Sequence, residues 1–238
     1  MYSFDDIKEK ISVDGFAVAE NIFIDEEIAD LLHLISLADT SRPTFRKTSE
    51  LFAIRQFFKE VPAAIGKVFN QRLNALIEGL FGIGYFVVKS IYFDKPVNSN
   101  WFVSYHQDLT ISVDKKLDIT GFGPWTRKEN QFAVQPPLNI LKDNFTIRIH
   151  LDDTTESNGA LKVIRGSHSA GITRSTAIHH SNEKEIICNV PKGGVMFMKP
   201  LLLHASGRTT NNHRRRVLHI EFSSSVLPSG LQWAELVN

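Results

Sequence analysis

Two short motifs in the sequence place a histidine two residues before an aspartate. One is His106-Gln107-Asp108 and the other is His150-Leu151-Asp152. Alternate side chains of a β-strand face the same side, so each motif would present one imidazole and one carboxylate to the same point. With a second histidine, such a pair forms the 2-His-1-carboxylate face of non-haem Fe(II) oxygenases, which leaves coordination positions open. A zinc site would more often include a cysteine or a third histidine.

The choice between the two motifs depends on their surroundings, because both precede the second candidate histidine, His204. The first motif lies in the middle of an apolar run. Asp152 instead leads into a turn sequence that ends at Gly159, where aspartate has an ordinary structural role. His204 alone would more often be a buried structural histidine. The first motif together with His204 is therefore the favoured ligand set, and the second motif is the alternative.

An arginine-rich segment follows His204. Eleven positions on, Arg215 begins a β-like run in which alternate residues as far as Glu221 share its face. A guanidinium inside a barrel needs a carboxylate partner, because an unpaired buried charge is very costly. Arginine binds carboxylates in a bidentate manner, so a dicarboxylate cosubstrate would satisfy it. The alternative is that Arg208 to Arg216 form an exposed basic cluster.

The elements that must position these residues follow from hydrophobic periodicity. Helical spacing is expected after Asp25 and again from Pro62 to Gly82. After Gly84 the pattern changes to short β-rich runs separated by turn signals. These runs are Tyr85–Phe93, Trp101–Val113, Phe145–Asp152, Leu161–Arg165, Glu185–Val190, Val195–Ala205 and Arg215–Ser225. Such a series predicts a mainly β fold of the jelly-roll type, with many of the 17 phenylalanines in its core.

The length and composition indicate one domain over residues 1–238. A chain of 238 residues is within the range of single all-β domains, and a hydrophobic content of 42% is sufficient for a sizeable core. We expect a mainly helical N-terminal layer (1–84), a β core (85–225) and a C-terminal tail (226–238) that packs on the same barrel.

The segment from residue 114 to residue 142 shows no clear period. Segments of this length between strands are often functional, so it would form a lid or a wall of a substrate pocket. Trp125 and Gln135 are its candidate substrate contacts. A tryptophan at this place is equally explained as a plug in a local core.

The charge balance gives no reason to expect a macromolecular partner. The net charge is +1 and charged residues make up 22%, which does not favour binding to nucleic acid or to an anionic membrane. No apolar stretch approaches the length of a membrane span. The single cysteine, Cys188, excludes an intramolecular disulfide and fits a reducing compartment, so a cytoplasmic protein is expected. The sequence does not indicate an oligomeric state.

About half of the chain, from His106 to Phe222, resembles the phytanoyl-CoA dioxygenase family of Fe(II)/2-oxoglutarate-dependent oxygenases. The matching pieces are His106-Gln107-Asp108, Leu151-Asp152-Asp153, Asn158-Gly159-Ala160-Leu161, Gly166-Ser167-His168 and His204-Ala205-Ser206, with Arg215 at the family's spacing. The resemblance decides between the two motifs in favour of His106 and Asp108. It implies a double-stranded β-helix, a cupin-like jelly roll, with N-terminal helices packed on the outside.

The resemblance also implies Fe(II), 2-oxoglutarate and O2 as cofactors. Arg215 would bind the distal carboxylate of 2-oxoglutarate and Ser206 would donate a hydrogen bond to it. Thr146 would contact the same cosubstrate. Arg148 departs from the family pattern, which often has tryptophan there, and it shares a face with Thr146. We expect Arg148 to meet an anionic substrate or the cosubstrate, with an ion pair to a barrel acid as the alternative. His168 is interpreted as structural.

The implied activity is hydroxylation of a C–H bond of a small molecule, with release of succinate and CO2. The family name does not identify the substrate. The main alternative is a non-catalytic, cupin-like protein that binds a metal or small molecule. A zinc or manganese cupin enzyme is less favoured. In a purely structural barrel, replacement of Asp108 would affect stability more than activity.

Overall fold

The computed structural model describes residues 3–48, 52–128, 131–173, 185–228 and 230–237. Its helices are α1 (Phe4–Val13), α2 (Asp25–Ser36), α3 (Phe57–Glu60), α4 (Ile65–Val68), α5 (Gln71–Phe81) and α6 (Leu138–Asp143). Its strands are β1 (Phe16–Ala19), β2 (Phe45–Lys47), β3 (Phe52–Arg55), β4 (Phe86–Lys95), β5 (Val103–His106), β6 (Ile111–Val113), β7 (Trp125–Lys128), β8 (Gln131–Val134), β9 (Phe145–His150), β10 (Leu161–Ile164), β11 (Glu185–Cys188), β12 (Val195–Met198), β13 (His204–Ser206) and β14 (Arg215–Ser223). Within these ranges, no helix combines the length and apolar character required to cross a membrane.

The strands of the described residues form three sheets with antiparallel pairing. The largest has the order β1-β12-β9-β14-β4-β3-β2, the second β11-β10-β13-β5, and the smallest β6-β8-β7. All three sheets contribute side chains to one cavity of about 390 Å³. The prediction of a mainly β fold is confirmed.

The helices cover one face of the largest sheet through a layer of aromatic side chains. Phe145 of β9 stacks on Phe81 of α5, with ring centroids 3.6 Å apart, and on Phe222 of β14, with centroids 4.7 Å apart. Phe145 is fully buried. Burial of one such side chain stabilises the fold by roughly 1.5–3 kcal/mol. Because this aromatic layer stabilises the sheet from one side, the opposite face of the sheet can carry polar groups.

The helical pattern predicted from Pro62 to Gly82 is interrupted in the structure. A 3-10 turn and α4 are followed by a break at Phe69, and α5 begins after Asn70. The Asn70 side chain accepts a hydrogen bond of 2.9 Å from the backbone N–H of Leu73. Asparagine is a strong N-cap because it satisfies a free N–H of the first turn, so Asn70 starts a new helix.

The first 84 residues are mainly helical, but they also supply three strands that the sequence pattern did not predict. Strand β1 pairs with β12 at one edge of the largest sheet, and the β2–β3 pair forms the other edge by joining β4. All three are only three or four residues long, too short for a periodic signal.

The segment 114–142 is also more ordered than its pattern indicated. It contains the antiparallel pair β7–β8 and part of α6, and residues 129 and 130 lie outside the described residues. The C-terminal tail packs against the same chain. Trp233 joins the apolar cluster around Val88, and Val237 pairs with Val87.

Candidate metal centre

Two adjacent strands bring the three candidate ligands together. His106 on β5 lies directly opposite His204 on β13 in the register of the second sheet. The Nε2 atom of His106 is 3.9 Å from Oδ1 of Asp108, and Nε2 of His204 is 3.7 Å from Oδ2. One potential ligand atom from each residue lies within 4.8 Å of the others. The predicted set of two imidazoles and one carboxylate therefore converges on one point.

Backbone carbonyls fix both imidazoles in the orientation that a metal requires. Nδ1 of His106 is 2.9 Å from the carbonyl oxygen of Ser104, and Nδ1 of His204 is 2.9 Å from that of Leu202. A carbonyl only accepts, so each Nδ1–H donates and each Nε2 keeps its lone pair. Metal-binding histidines are commonly held in this way through their second nitrogen.

The residue between the first two ligands holds the strands in place. The Gln107 side chain points away from the site, as the strand period predicts, and its Nε2 donates to the carbonyls of Gly171 and Leu201. Its Oε1 accepts from the backbone N–H of Thr173. The backbone N–H of Asp108 donates to the carbonyl of Pro200 at 2.9 Å. These bonds connect the first motif to the turn that precedes His204.

The electrostatic surroundings favour the ligating form of His204 and of Asp108. Burial lowers the pKa of His204 to about 4, so the imidazole is neutral at neutral pH. Burial alone would raise the pKa of Asp108, but electrostatic interactions with the surrounding histidines and with Lys89 lower it below its usual range. Oδ2 of Asp108 is buried and accepts no hydrogen bond from any described residue. An anionic carboxylate and a neutral imidazole suit a divalent cation such as Fe(II).

Two buried arginines line the same cavity without carboxylate partners among the described residues. Arg215 is 2% exposed, and its Nε and Nη1 atoms have no hydrogen-bond partner there. Burial, with the charge of Arg148, lowers the pKa of Arg215 to about 9. Arg148 is 6% exposed and its Nε is similarly unpartnered. A bound dicarboxylate such as 2-oxoglutarate fits the unfilled donors of Arg215.

The other predicted cosubstrate contacts differ in their positions. Ser206 is buried and lines the cavity beside the metal ligands, because it shares the inner face of β13 with His204. Thr146 faces inward from β9, and its Oγ1 is buried without a partner in the described part of the chain. Thr146 does not lie on the cavity wall, and its neighbours in register are Met198 and Glu221.

The structure does not bring the predicted substrate contacts Trp125 and Gln135 to the cavity. Trp125 pairs with Val134 and packs on an apolar cluster, which agrees with the alternative of a local core plug. The backbone of Gln135 bonds to Gly123 and Pro124, and its side chain is not on the cavity wall. Neither predicted side chain therefore lies on the wall of this cavity.

The same hairpin nevertheless forms a wall of the cavity. Side chains that alternate with Trp125 and Val134 face inward, and they are those of Thr126, Gln131 and Ala133. Their inward orientation follows from the two-residue period of the strands. These inward-facing residues could have been identified from the sequence if the segment had been predicted to form strands.

The alternative motif and the basic segment have structural partners. His150 bonds to Thr154 through Nδ1 at 2.7 Å, and Asp152 accepts two hydrogen bonds from the guanidinium of Arg216. Arg214 forms an ion pair with Asp94. His150 and Asp152 of the second motif are therefore engaged in structural contacts. Arg214 and Arg216 are paired with aspartates, in contrast to Arg215. His168, read as structural, contacts the carbonyl of Ser12 at 3.1 Å.

Sequence reasoning missed a buried polar chain beside the ligands. Nζ of Lys89 donates to Glu221 at 2.7 Å, Nε2 of His219 lies 3.1 Å from the same oxygen, and Nη1 of Arg148 lies 3.0 Å from Nδ1 of His219. His219 and Glu221 also lie close enough to Asp108 to share a cation, but their bonds in this chain already engage them. The alternation along β14 from Arg215 to Glu221 was its only sequence signal.

Comparison with known proteins identifies the family. The model of the phytanoyl-CoA dioxygenase (PhyH) family matches residues 11–217 of the chain. The chain therefore belongs to the phytanoyl-CoA dioxygenase family of Fe(II)/2-oxoglutarate-dependent oxygenases. This confirms the resemblance that the motifs carried, and it extends the match into the N-terminal helical layer.

Individual relatives are more distant. L-proline trans-4-hydroxylase from Streptomyces griseoviridis is 32% identical over a stretch that covers 34% of this chain and 41% of that protein, so less than half of the relative is matched. AviO1 from Streptomyces viridochromogenes Tue57 has a TM-score of 0.67 at 17% identity, over 96% of this chain and 98% of that chain. EvdO2 from Micromonospora carbonacea var. aurantiaca, solved with 2-oxoglutarate, has a TM-score of 0.66 at 15% identity, over 96% of both chains. These two structures share the fold.

Proposed function

We propose that this chain is an Fe(II)- and 2-oxoglutarate-dependent dioxygenase that hydroxylates a C–H bond of a small molecule. One substrate C–H, one O2 and one 2-oxoglutarate would give the alcohol, succinate and CO2. The observation that carries this proposal is that one cavity contains both the triad and a buried arginine, two of whose nitrogens have no partner among the described residues. His106, Asp108 and His204 supply the metal ligands, and Arg215 supplies the carboxylate anchor.

Each residue has a role that follows from its surroundings. His106 and His204 would hold Fe(II) through Nε2 because their Nδ1 atoms are engaged. Arg215 would bind the far carboxylate of 2-oxoglutarate, and the Ser206 hydroxyl would donate to the same group. Thr146 remains a candidate second donor on the inner face. The bound metal and cosubstrate would supply oxidative decarboxylation coupled to oxygen insertion, and the protein would supply their positions.

The substrate is proposed to be a small molecule because the cavity must hold it together with the cosubstrate. The volume of about 390 Å³ is near the lower end of the range for ligand pockets. L-Proline, which the name of one relative gives as that protein's substrate, is the first compound to test.

The test is an anaerobic titration of the protein with Fe(II) and 2-oxoglutarate, followed by the visible metal-to-ligand charge-transfer band. We expect a band in the wild type and a 2-oxoglutarate dissociation constant raised on the order of 10- to 100-fold in Arg215→Ala, because a charge-assisted hydrogen-bonded pair is lost. Arg127→Ala is the matched control, since that guanidinium lies over the Phe132 ring on the opposite face of the hairpin. Metal-loaded wild type without a band would instead support the non-catalytic binding protein.

A further inference from the structure

The cavity has an excess of positive side chains. Its cations are Arg46, Arg55, Lys89, Arg148 and Arg215, whereas its carboxylates are Asp108 and Glu235. Asp108 belongs to the metal centre. Glu235 accepts hydrogen bonds from the backbone N–H and the hydroxyl of Ser90. Neither carboxylate is therefore available to balance the arginines.

Two of the cations have assigned partners. Lys89 is paired with Glu221 at 2.7 Å. Arg215 is assigned to the far carboxylate of 2-oxoglutarate, and the other carboxylate of that cosubstrate would bind the metal. Arg46 is exposed on the edge strand. Arg148 and Arg55 then remain as cavity arginines that the proposed chemistry leaves without an anion.

These two arginines lie in one row across the largest sheet. In the strand register Arg55 is opposite Ile91, Ile91 is opposite His219, and His219 is opposite Arg148. All four side chains line the cavity. We call this row of four residues the cationic row, because an arginine lies at each end. Neighbouring strands are about 4.8 Å apart, so the row runs for roughly 15 Å from β3, the strand next to the sheet edge, toward the metal ligands.

Arg148 is the inner end of the row and its guanidinium is held in place. Its Nη1 donates to Nδ1 of His219 at 3.0 Å, and the opposite nitrogen of His219 donates to Glu221 at 3.1 Å. Nε of Arg148 is buried and has no partner in the described part of the chain. A fixed, buried guanidinium with an unfilled donor is a preorganised anion site. His219 acts as a positioning residue for it.

Arg55 is the outer end of the row. It is half-buried, and its side chain makes no hydrogen bond or ion pair with any described residue. A cation at this position attracts anions toward the cavity, and its effect is screened by salt because it is partly exposed.

We propose that the substrate of this oxygenase is a small acid, a carboxylate or a phosphate ester, whose anionic group is bound by Arg148 after attraction by Arg55. The proposal rests on the proposed function and names the substrate class for the same site. The anion fixes one end of the substrate, so the position of the oxidised C–H bond is set by its distance from the acid group.

The experiment uses the Fe(II)- and 2-oxoglutarate-loaded wild-type protein and a panel of small acids. L-Proline and other amino, hydroxy and keto acids are each paired with the carboxamide, and sugar phosphates are paired with the free sugars. Succinate formation above the rate without added compound gives turnover, and anaerobic calorimetry on the loaded protein gives binding. We expect stimulation and binding by one or more acids, at least about 10-fold stronger than by the neutral partner. The carboxylate and phosphate arms distinguish the two kinds of acid.

Substitutions in the cationic row test whether its two arginines are responsible for binding the acid. Arg148→Gln is expected to raise the KM and the dissociation constant of the acid on the order of 10- to 100-fold, and Arg148→Lys should restore part of the affinity. Arg55→Gln is expected to raise KM only about 2- to 5-fold, with the difference disappearing at high salt. Arg127→Gln is the control on the opposite face of the hairpin.

Two outcomes would overturn the proposal. Stimulation by neutral compounds only, or by no acid in the panel, would contradict the substrate class. A rise in the 2-oxoglutarate dissociation constant of Arg148→Gln, without a change for the acid, would assign Arg148 to the cosubstrate instead. A charge-transfer band in the wild type shows that these failures concern the substrate class or the role of Arg148 and not the proposed function. Loss of the band in the wild type would mean that the proposed function itself is wrong.

Discussion

The two faces of strand β9 show how one element serves both stability and chemistry. Phe145, Ile147 and Ile149 face the helices and lie in the apolar layer. Thr146 and Arg148 face the other way, toward the metal centre, and every residue of the strand is buried. An alternating sequence is commonly read as one buried and one solvated face. Here the polar face is also covered, and Arg148 on it lines the cavity in which ligands would bind.

The difference between the faces lies in how completely their groups are satisfied. On the helix side, rings stack at van der Waals distance and form a closed layer. On the cavity side, polar atoms of Thr146, Arg148 and Arg215 have no partner among the described residues. Buried polar groups are normally hydrogen-bonded, so unfilled donors concentrated on one face indicate a ligand site. Substitutions on the two faces should therefore separate loss of activity from loss of stability.

The largest effect is expected for Asp108→Ala on the cavity side. Loss of the anionic ligand should reduce Fe(II) affinity and 2-oxoglutarate turnover by more than about 100-fold, since even indirect supporting residues of metal sites change these by that order. The melting temperature of the metal-free protein should change little, because Oδ2 of Asp108 has no hydrogen-bond partner in the described residues. Succinate assays and thermal unfolding measure both quantities. A large drop in stability with turnover retained would favour the structural barrel.

The second prediction concerns the opposite face. Phe145→Ala should lower the free energy of unfolding by about 3–5 kcal/mol, because it leaves a cavity between the stacked rings of Phe81 and Phe222. Urea unfolding of wild type and variant measures this difference. The fraction of the Phe145→Ala protein that remains folded should keep the 2-oxoglutarate charge-transfer band. A loss of the band in folded protein would show that the two faces are not separable.

The sequence predicted those parts of the site whose signal is local. His106 and Asp108 could be found because the two-residue period of a strand puts them on one side, and the resemblance connected them with His204 and Arg215. The interpretation of His168 as structural agrees with its contact to the Ser12 carbonyl.

The remaining parts depend on contacts between distant segments. Arg55 comes from the four-residue strand β3, whose place between β4 and the edge strand β2 is set by tertiary packing. Trp125 was chosen for its residue type, yet the hairpin register turns it toward an apolar cluster and turns Thr126 toward the cavity. Such short strands lack enough residues for a periodic signal, so neither position followed from the sequence.

A third prediction sharpens the comparison through pH. His150 lies on the polar face of β9, and burial, with the charges of Arg148 and Arg215, holds its pKa well below the usual value of 6.5. The unfolded chain therefore binds a proton at His150 below about pH 6.5 that the folded chain does not. Protonation of His150 in the unfolded chain therefore lowers the free energy of unfolding as the pH falls below this value, by up to about 1.4 kcal/mol per pH unit. Above this pH the histidine is neutral in both states and causes no such loss.

Urea unfolding of the metal-free protein between pH 7.5 and pH 5.5 measures the pH effect. His150→Gln keeps a polar side chain near Thr154, whose Oγ1 is 2.7 Å from Nδ1 of His150, but cannot be protonated. The variant should therefore lose less stability than the wild type on acidification. Equal slopes for both proteins would contradict the assignment of this acid sensitivity to His150.

The smallest expected effect compares two glutamines of the cavity hairpin. Gln131 lines the cavity, whereas Gln135 bonds through its backbone to Gly123 and Pro124 and keeps those bonds when its side chain is removed. Gln131→Ala should raise the KM of a stimulating substrate about 2- to 10-fold through loss of one hydrogen bond. Gln135→Ala should stay within about twofold of the wild type, as surface substitutions generally do. Steady-state succinate assays with both variants measure the contrast. If the two effects were reversed, Gln131 would not contact the substrate, and this part of the cavity wall would have to be reassigned.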